Sequence, residues 1–258
     1  MKVEGSVFVV TGGASGLGQA VVRRAVELGA AGVGIFDLND DDGEEMVVEL
    51  GEDKALFAEV NVTDADSVQE GLAAVVEKFG RVDVVVNCAG IGSGTKTYSR
   101  KGGAHKLDYF KKVVEVNLVG TFNTLRLAAA IMAEQEPNAD GERGVIVNTA
   151  SVAAFDGQQG QASYSASKAG VVGMTLPIAR DLGPYGIRIC TICPGVFLTP
   201  MMRMLKAEVR ASLEKDVPFP SRLGRPEEFA LMATSIVENP YLNGETIRLD
   251  GALRMNKL

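Results

Sequence analysis

The sequence predicts an α/β fold in which a doubly wound, parallel seven-stranded sheet is flanked by helices on both faces. Short β-branched apolar runs alternate along the chain with longer segments of helical periodicity, and this alternation is typical of parallel sheets. Several of the short runs are apolar throughout, as strands covered on both faces are. No Pro/Ser-rich linker divides the 258 residues. We therefore expect one domain over residues 1–258, with distinct halves at about 1–150 and about 151–258.

Seven runs predict the strands, and six segments predict the helices. The predicted strands are Ser6–Val10, Gly32–Phe36, Ala55–Val60, Val82–Val86, Val145–Asn148, Arg188–Ile192 and Thr246–Leu249. The predicted helices are Leu17–Leu28, Asp42–Leu50, Ala65–Phe79, Lys106–Glu134, Ala162–Leu182 and Pro226–Val237. Two remaining segments, Ile91–His105 and Phe197–Pro220, exceed ordinary loop lengths. Because long excursions near strand ends tend to shape ligand sites, we expect them to line one.

The composition argues against several functional classes. The chain carries 26 Lys and Arg against 33 Asp and Glu, a formal charge of −7, and no basic cluster of the kind that nucleic-acid binding needs. No nucleic-acid partner is predicted. A membrane span needs a run of about 18 apolar residues, and none is present. The start, MKVEGSVFVVTGG, reads as a first strand instead of a targeting segment, which predicts a cytoplasmic protein, or a mitochondrial-matrix protein in a eukaryote.

Three cysteines and a single histidine predict neither a disulfide framework nor a metal site. Cys190 and Cys193 form a CxxC, but it lies in the strand-like run IRICTIC, where residues three apart point to opposite faces. We expect them to pack in the core instead of performing redox chemistry. His105 follows a KGG turn, and we expect a solvated loop residue, with a role in a substrate loop as the alternative.

A glycine-rich turn follows the first predicted strand. Thr11-Gly12-x-x-x-Gly16-x-Gly18 opens the first helix, where glycines allow a tight turn and bring backbone amides close to a pyrophosphate. The turn lacks the GK[ST] ending of the P-loops that bind nucleoside triphosphates. Asp37 ends the second strand about 20 residues further on, where a carboxylate accepts from ribose hydroxyls and repels the 2′-phosphate of NADP. These residues predict a Rossmann-type fold that binds NAD.

A second group of polar residues predicts proton-transfer chemistry. Tyr164-x-x-x-Lys168 lies in a predicted helix, so both side chains share one face. A nearby ammonium and the positive ring of an oxidised nicotinamide favour the tyrosinate, so Tyr164 could exchange a proton with an alcohol during hydride transfer. Ser151 ends the run VIVNTAS, where its hydroxyl could hold a substrate oxygen. Asn117, in an apolar helical stretch, is either a helix kink that holds water behind the lysine or a buried asparagine satisfied by the backbone.

These motifs carry a family resemblance. TGGASGLG, NCAG at 87–90, Asn117, Ser151, YSASK at 164–168 and the Pro-Gly at 194–195 occur in the order found in short-chain dehydrogenases/reductases, and the sequence resembles that family over nearly its whole length. The resemblance implies that Tyr164 is the acid/base and that Lys168 lowers its pKa and binds the nicotinamide ribose. It also implies that Ser151 holds the substrate oxygen and that Asn117 anchors a proton relay.

The same resemblance implies a cofactor site that binds NAD. Its implied residues are Gly12, Ser15, Gly16, Leu17, Gly18, Asp37, Asn61, Val62, Cys88, Ala89, Gly90, Tyr164, Lys168, Phe197 and Thr199. The family often has Asp-Val beside the adenine, where this chain has Asn61-Val62. Because asparagine can also form hydrogen bonds there, we expect a changed affinity and retained binding.

Several longer stretches, among them VPFPSRLG and ENPYLNGETIRLDGALRM, resemble family members that use NAD to oxidise the 3-hydroxyl group of 3-hydroxyacyl-CoA esters and that also accept steroids. The resemblance implies 3-hydroxyacyl-CoA dehydrogenase activity in fatty acid metabolism. It also implies a homotetramer assembled through the two longest helices. The alternatives are a hydroxysteroid or other secondary-alcohol dehydrogenase, and a non-catalytic NAD-binding assembly subunit.

Two groups of side chains fit an acyl-CoA substrate. The cations of the first long excursion could meet CoA phosphates, unless they are only solvated: Lys96, Arg100, Lys101 and Lys106. The apolar residues of the second could form a flexible lid, unless they are helix core: Met201, Met202, Met204 and Leu205.

Overall fold

A computed structural model of the chain describes residues 1–204 and 206–255, and in it seven strands form one parallel sheet in the order β3-β2-β1-β4-β7-β8-β9. Two short strands, β5 and β6, pair antiparallel in a separate hairpin. The strands are β1 Val7–Thr11, β2 Gly32–Asp37, β3 Ala55–Glu59, β4 Val84–Asn87, β5 Tyr98–Ser99, β6 Gly103–Ala104, β7 Gly144–Thr149, β8 Ile187–Pro194 and β9 Thr246–Leu249. The predicted doubly wound sheet is confirmed.

Helices cover both faces of this sheet. They are α1 Gly16–Glu27, α2 Asp40–Leu50, α3 Ala65–Phe79, α4 Leu107–Val114, α5 Gly120–Ala133, α6 Ala162–Leu182, α7 Pro200–Arg203, α8 Ala207–Lys215 and α9 Pro226–Glu238. On one face, Val22, Met46 and Phe229 of α1, α2 and α9 share a buried cluster with sheet residues. On the other, helices α3, α5 and α6 bury residues such as Leu72 and Leu125. The near-continuous apolar strands are explained by these two cores.

The strand order reverses at β1, because β2 and β3 lie on one side of it and β4 on the other. Thr11 and Asn87, the last residues of β1 and β4, are directly paired, and the amide of Cys88 donates to the carbonyl of Thr11. The two strands therefore end side by side while the chain leaves them in different directions. A crevice opens at such a point in an open α/β sheet.

A π-helical turn, Glu115–Val119, joins α4 to α5 within one helical run, Leu107–Ala133. By length and composition alone this run could cross a membrane, but half of its apolar 18-residue stretch is buried inside the fold. Its buried face includes Leu125 and Met132, which pack on the sheet. Apolar composition here is accounted for by core packing.

All seven predicted strands and all six predicted helices form, with ends displaced by one to two residues where they differ. The sequence analysis missed the β5–β6 hairpin and helices α7 and α8, which lie inside the two long excursions. Strands of two residues carry too little alternation to be read from a sequence. Helix α7 begins at Pro200 behind a Thr199 cap, but it is only four residues long.

The expectation that Cys190 and Cys193 pack in the core is confirmed, whereas the expectation that His105 is solvated is wrong. Cys190 and Cys193 are buried in β8. His105, expected to be solvated, is half-buried because its ring packs against Tyr109 and Phe110. Its Nε2 atom is buried and has no hydrogen-bond partner among the residues that the structure describes.

Candidate active site

A cavity of about 540 Å³ opens at the carboxyl ends of β1, β4 and β7. All of the sequence-predicted cofactor residues border it, from the glycine turn to Phe197 and Thr199. Ser151, Tyr164 and Lys168 border it as well, whereas Asn117 lies just behind it. The cavity is long enough to bring together residues from both halves of the chain, and its volume suits a cofactor or another small molecule.

The floor of the cavity is a cradle that only glycine permits. A Cβ atom on Gly12 would lie 2.8 Å from the amide nitrogen of Ala89, and Gly12 has a φ of +63°. A Cβ atom on Gly18 would collide with the carbonyl oxygen of Gly12. The loops after β1 and β4 therefore meet backbone to backbone, and amides at the start of α1 remain open to an anion. This cradle fits the pyrophosphate of a dinucleotide.

Asp37 is fixed at the end of β2 by three backbone amides. Its Oδ2 atom accepts from the amide of Ala14 at 3.0 Å, and its Oδ1 atom accepts from those of Leu38 and Asn39. The carboxylate thus has a defined orientation at the cavity wall, with lone pairs left to accept from ribose hydroxyls. The first turn of α2 adds three more acidic residues nearby in the chain, Asp40, Asp41 and Asp42. This negative surface disfavours a 2′-phosphate.

Ser151 follows β7 and caps the short 3₁₀ turn that comes next. Its Oγ atom accepts a hydrogen bond from the amide of Ala153 at 3.1 Å. One lone pair is thereby occupied, and the hydroxyl proton is left to donate elsewhere. A donor with this orientation can stabilise an oxygen that gains negative charge during a reaction.

Tyr164 and Lys168 lie one turn apart on α6, as predicted, with the Lys168 Nζ atom 5.8 Å from the centre of the Tyr164 ring. The Nζ atom donates to the carbonyl of Thr149 at 2.8 Å. Burial lowers the pKa of Lys168 from 10.5 to about 8, because the charged form has lost its water. Burial likewise raises the pKa of Tyr164, although a hydrogen bond with Ser151 opposes this rise.

In the protein alone, burial raises the pKa of Tyr164 and the hydrogen bond with Ser151 lowers it. That Lys168 lowers this pKa stays a prediction. The positive ring of an oxidised nicotinamide would act in the same direction as the ammonium.

Asn117 is a buried asparagine satisfied by the backbone, as the second interpretation expected, and it lies in an irregular turn of the helix; that it holds water behind the lysine stays a prediction. It is fully buried in the π turn, and its side chain bonds both backbone groups of Ile91, accepting from the amide at 2.8 Å and donating to the carbonyl at 3.0 Å. Its Nδ2 atom also donates to the Oγ atom of Ser167 at 3.1 Å. The helix irregularity thus ties the loop after β4 to the residue that precedes Lys168. π-Turns are frequent at functional sites.

The predictions for Cys88, for the four loop cations and for the apolar lid have different outcomes. Cys88 borders the cavity, but burial raises the pKa of its thiol to about 11, so it stays protonated. The four cations proposed for CoA are exposed and lie outside the cavity wall. Met202 borders the cavity, Met204 is 81% exposed, and Leu205 lies outside the described residues.

Sequence reasoning gave no cofactor or catalytic role to a further set of residues at the cavity. These are Phe36, Leu38, Val60, Ile91, Lys112, Val116, Thr149, Ala150, Pro194, Gly195, Pro200 and Met202. Ile91, Pro200 and Met202 belong to the two long excursions, which border the cavity as expected. Most are apolar or flank a predicted residue, so neighbourhood in the sequence could have found them. Lys112 gives no such signal, because it reads as an exposed cation on an amphipathic helix.

Comparisons with known proteins agree with this geometry. The profile of the family described as short chain dehydrogenase matches residues 6–210. The 3-hydroxyacyl-CoA dehydrogenase type-2 of Drosophila melanogaster is 56% identical over 254 residues, covering 98% of this chain and 99% of that protein. The enzyme of the same name from Homo sapiens is also 56% identical, covering 98% and 97%. The crystal structure of 3-hydroxyacyl-CoA dehydrogenase type-2 from Mycobacterium avium is 41% identical, covers both chains fully and has a TM-score of 0.93.

The buried charge of Lys168 predicts a measurable cost to stability. The folded pKa lies below the unfolded one, so the unfolded chain binds more protons between about pH 8 and 10.5, and stability from this group rises with pH across that window. We expect Lys168→Met to raise the free energy of unfolding at pH 7 by about 2–3 kcal/mol, measured by urea denaturation. The gain should shrink as the pH rises to about 10.

Lys111→Met is the matched control, because Lys111 is exposed on α4. It should change stability by less than about 0.5 kcal/mol at both pH values. A Lys168→Met variant that is less stable than the wild type at pH 7, by an amount independent of pH, would contradict a costly buried ammonium.

Proposed function

Since the chain belongs to the short-chain dehydrogenase family, an oxidoreductase family that uses a nicotinamide cofactor, we propose that it interconverts 3-hydroxyacyl-CoA and 3-ketoacyl-CoA esters with NAD. One observation carries this proposal: a single cavity is bordered by the glycine cradle, Asp37, Ser151, Tyr164 and Lys168. The names of relatives that are 55–57% identical over nearly their whole length support the acyl-CoA substrate.

In this proposal the chain's own residues hold the substrate oxygen and transfer a proton to or from it. The Tyr164 hydroxyl gives its proton to the substrate oxygen in ketone reduction, and the Tyr164 phenolate takes the proton of the alcohol in oxidation. Ser151 donates to the same oxygen, because the bond from the amide of Ala153 uses a lone pair of its Oγ atom and leaves its proton available. Lys168 places a positive charge at the site, and its Nζ atom donates a hydrogen bond to the carbonyl of Thr149. The nicotinamide, when bound, supplies or accepts the hydride.

The preference for NAD rests on Asp37. Its carboxylate is held at the wall of the cavity by backbone amides and is followed by an acidic helix start. Both features attract ribose hydroxyls and repel an added phosphate.

We also propose that residues 1–258 act as one domain and that the protein assembles as a homotetramer through the helical run Leu107–Ala133 and α6. Support for the assembly comes from apolar side chains that these helices leave exposed, such as Val119, Phe122 and Leu176, which are 41%, 45% and 47% accessible. A hydroxysteroid dehydrogenase on the same machinery is the second candidate, because a curated relative named 3alpha-hydroxysteroid dehydrogenase is 34% identical over 98% of this chain.

Substrate comparison tests the proposal most directly. With NADH in excess, we expect kcat/KM for acetoacetyl-CoA to exceed that for a ketosteroid or a simple ketone by about 100-fold or more, because only the CoA ester brings additional binding groups. Initial rates of NADH oxidation measure this. A hundredfold preference for the carbonyl compound without CoA would establish the second candidate instead.

Tyr164→Phe tests the proton transfer. We expect kcat to fall by about 10²–10⁴-fold, because phenylalanine keeps the ring and removes the hydroxyl that exchanges a proton with the substrate oxygen. The dissociation constant for NADH, measured by fluorescence titration, should stay within a few-fold of the wild type. Tyr185→Phe, at a residue that is 53% exposed on another turn, serves as the control and should not alter kcat. Nearly unchanged turnover in Tyr164→Phe would refute the assigned chemistry.

Asp37→Asn tests the choice of cofactor. The amide keeps the shape but loses the charge, so the dissociation constant for NADH should rise by about 10-fold or more. That for NADPH should fall or stay constant, because the repulsion of its 2′-phosphate is weakened. Asp41→Asn, at an exposed position in the same acidic turn, is the control. An unchanged ratio of the two constants in Asp37→Asn would show that the carboxylate does not select NAD.

A further inference from the structure

We propose that Ser163 is a positioning residue: its hydrogen bond to Ser93 fixes the helix that carries Tyr164 against the loop that follows β4. Ser163 is fully buried and immediately precedes Tyr164 in α6. Its Oγ atom donates to the Oγ atom of Ser93 at 2.9 Å. Neither serine borders the cavity, so the pair acts through its neighbours. This inference rests on the proposed role of Tyr164.

The loop in question, residues 90–95, is attached at several points along its length. Asn117 bonds both backbone groups of Ile91, and the Tyr109 hydroxyl donates to the carbonyl of Gly92 at 3.2 Å. Gly160, with a φ of +84°, passes so close that a Cβ atom would lie 3.1 Å from the carbonyl carbon of Gly94. Ser93 lies between these attachments. The loop is therefore held by α4, by the π turn and by the segment that leads into α6.

The attachments lie at or beside the residues assigned to catalysis. Asn117 makes two of them itself, and Ser163 makes another one residue before Tyr164. Residues 90 and 91 of the loop border the cavity together with Tyr164. A substrate held between this loop and the tyrosine would thus depend on the distance that the serine pair fixes. Small displacements of a reacting group reduce turnover strongly.

The cofactor cradle lies beside this loop but is fixed by other contacts. Asp37 is held by the amides of Ala14, Leu38 and Asn39, and the backbone contact between Gly12 and Ala89 precedes residues 90–95. Loss of the serine pair should therefore lower turnover and leave cofactor affinity in place. A general loss of folding would affect both.

A double-mutant cycle over Ser93→Ala and Ser163→Ala measures this coupling. We expect each single variant to lower kcat about 10-fold, because either one frees the loop from the tyrosine. The double variant should lose no more than a single one. The dissociation constant for NADH should stay within about twofold of the wild type throughout. Ser93→Thr, which keeps the hydroxyl on a half-buried residue, should restore kcat.

Thr175→Val is the matched control. Thr175 lies on the same helix and shares a buried hydroxyl pair with Thr191 of β8 at 2.6 Å, away from the loop. Its loss should reduce the unfolding midpoint in urea and leave kcat unchanged. An equal fall of kcat in this variant would show that Ser163 contributes only to folding.

The outcomes separate this inference from the proposed function. The cycle uses whichever substrate the wild type reduces faster, acetoacetyl-CoA or a simple ketone, so a wrong acyl-CoA assignment shows in the wild type alone. Single variants within twofold of the wild-type kcat, or losses that simply multiply in the double variant, would overturn the role of Ser163. Should Ser163→Ala fail to fold, the comparison of Ser93→Ala with Ser93→Thr decides, and equal kcat values in those two would overturn it as well.

Discussion

A buried ammonium is the constraint around which this molecule is arranged. Lys168 is 4% exposed, and its Nζ atom has the carbonyl of Thr149 as its partner at 2.8 Å. Burying such a charge is unfavourable, and folds retain buried charges mainly where chemistry uses them. The end of β7 and the middle of α6 are both needed to enclose it. Ser151, two residues after Thr149, and Tyr164, one turn before Lys168, are brought into place by the same two elements.

The remainder of the site comes from the other half of the chain, and the two meet where the strand order reverses. At this point the loops after β1 and β4 touch through backbone atoms, since Gly12 faces Ala89 without a side chain between them. The close approach leaves the amides of the first helix facing the cavity, opposite α6. One cavity can then hold an anion at one end and a proton donor at the other.

Much of this was predictable from local patterns. The strands are apolar throughout and the helices are long, so the sheet and its order of elements followed from periodicity. Asp37, Ser151, Tyr164 and Lys168 could be placed because each sits at the end of a strand or on a helix whose position the pattern defines. The β5–β6 hairpin could not be foreseen, because two-residue strands in a polar loop leave no periodic signal. The Ser93–Ser163 bond joins residues 70 positions apart, and no local rule pairs two serines at such a separation. The rise that burial causes in the pKa of Tyr164 could not be foreseen for a related reason: burial depends on the whole surrounding structure, and the spacing of Tyr164 and Lys168 does not reveal it.

The π turn at Glu115–Val119 also affects the outer surface of the molecule. A single extra residue in a helix rotates everything after it by about 100° relative to an unbroken helix. The side chains of α5 are therefore rotated about the helix axis relative to the directions that they would have if α4 continued without the turn. Val119, exposed at the end of the turn, and Phe122, exposed just beyond it, do not continue the row of side chains set by α4. One rotation of the backbone thus directs Asn117 inward to the loop after β4 and gives α5 an apolar outward face of its own.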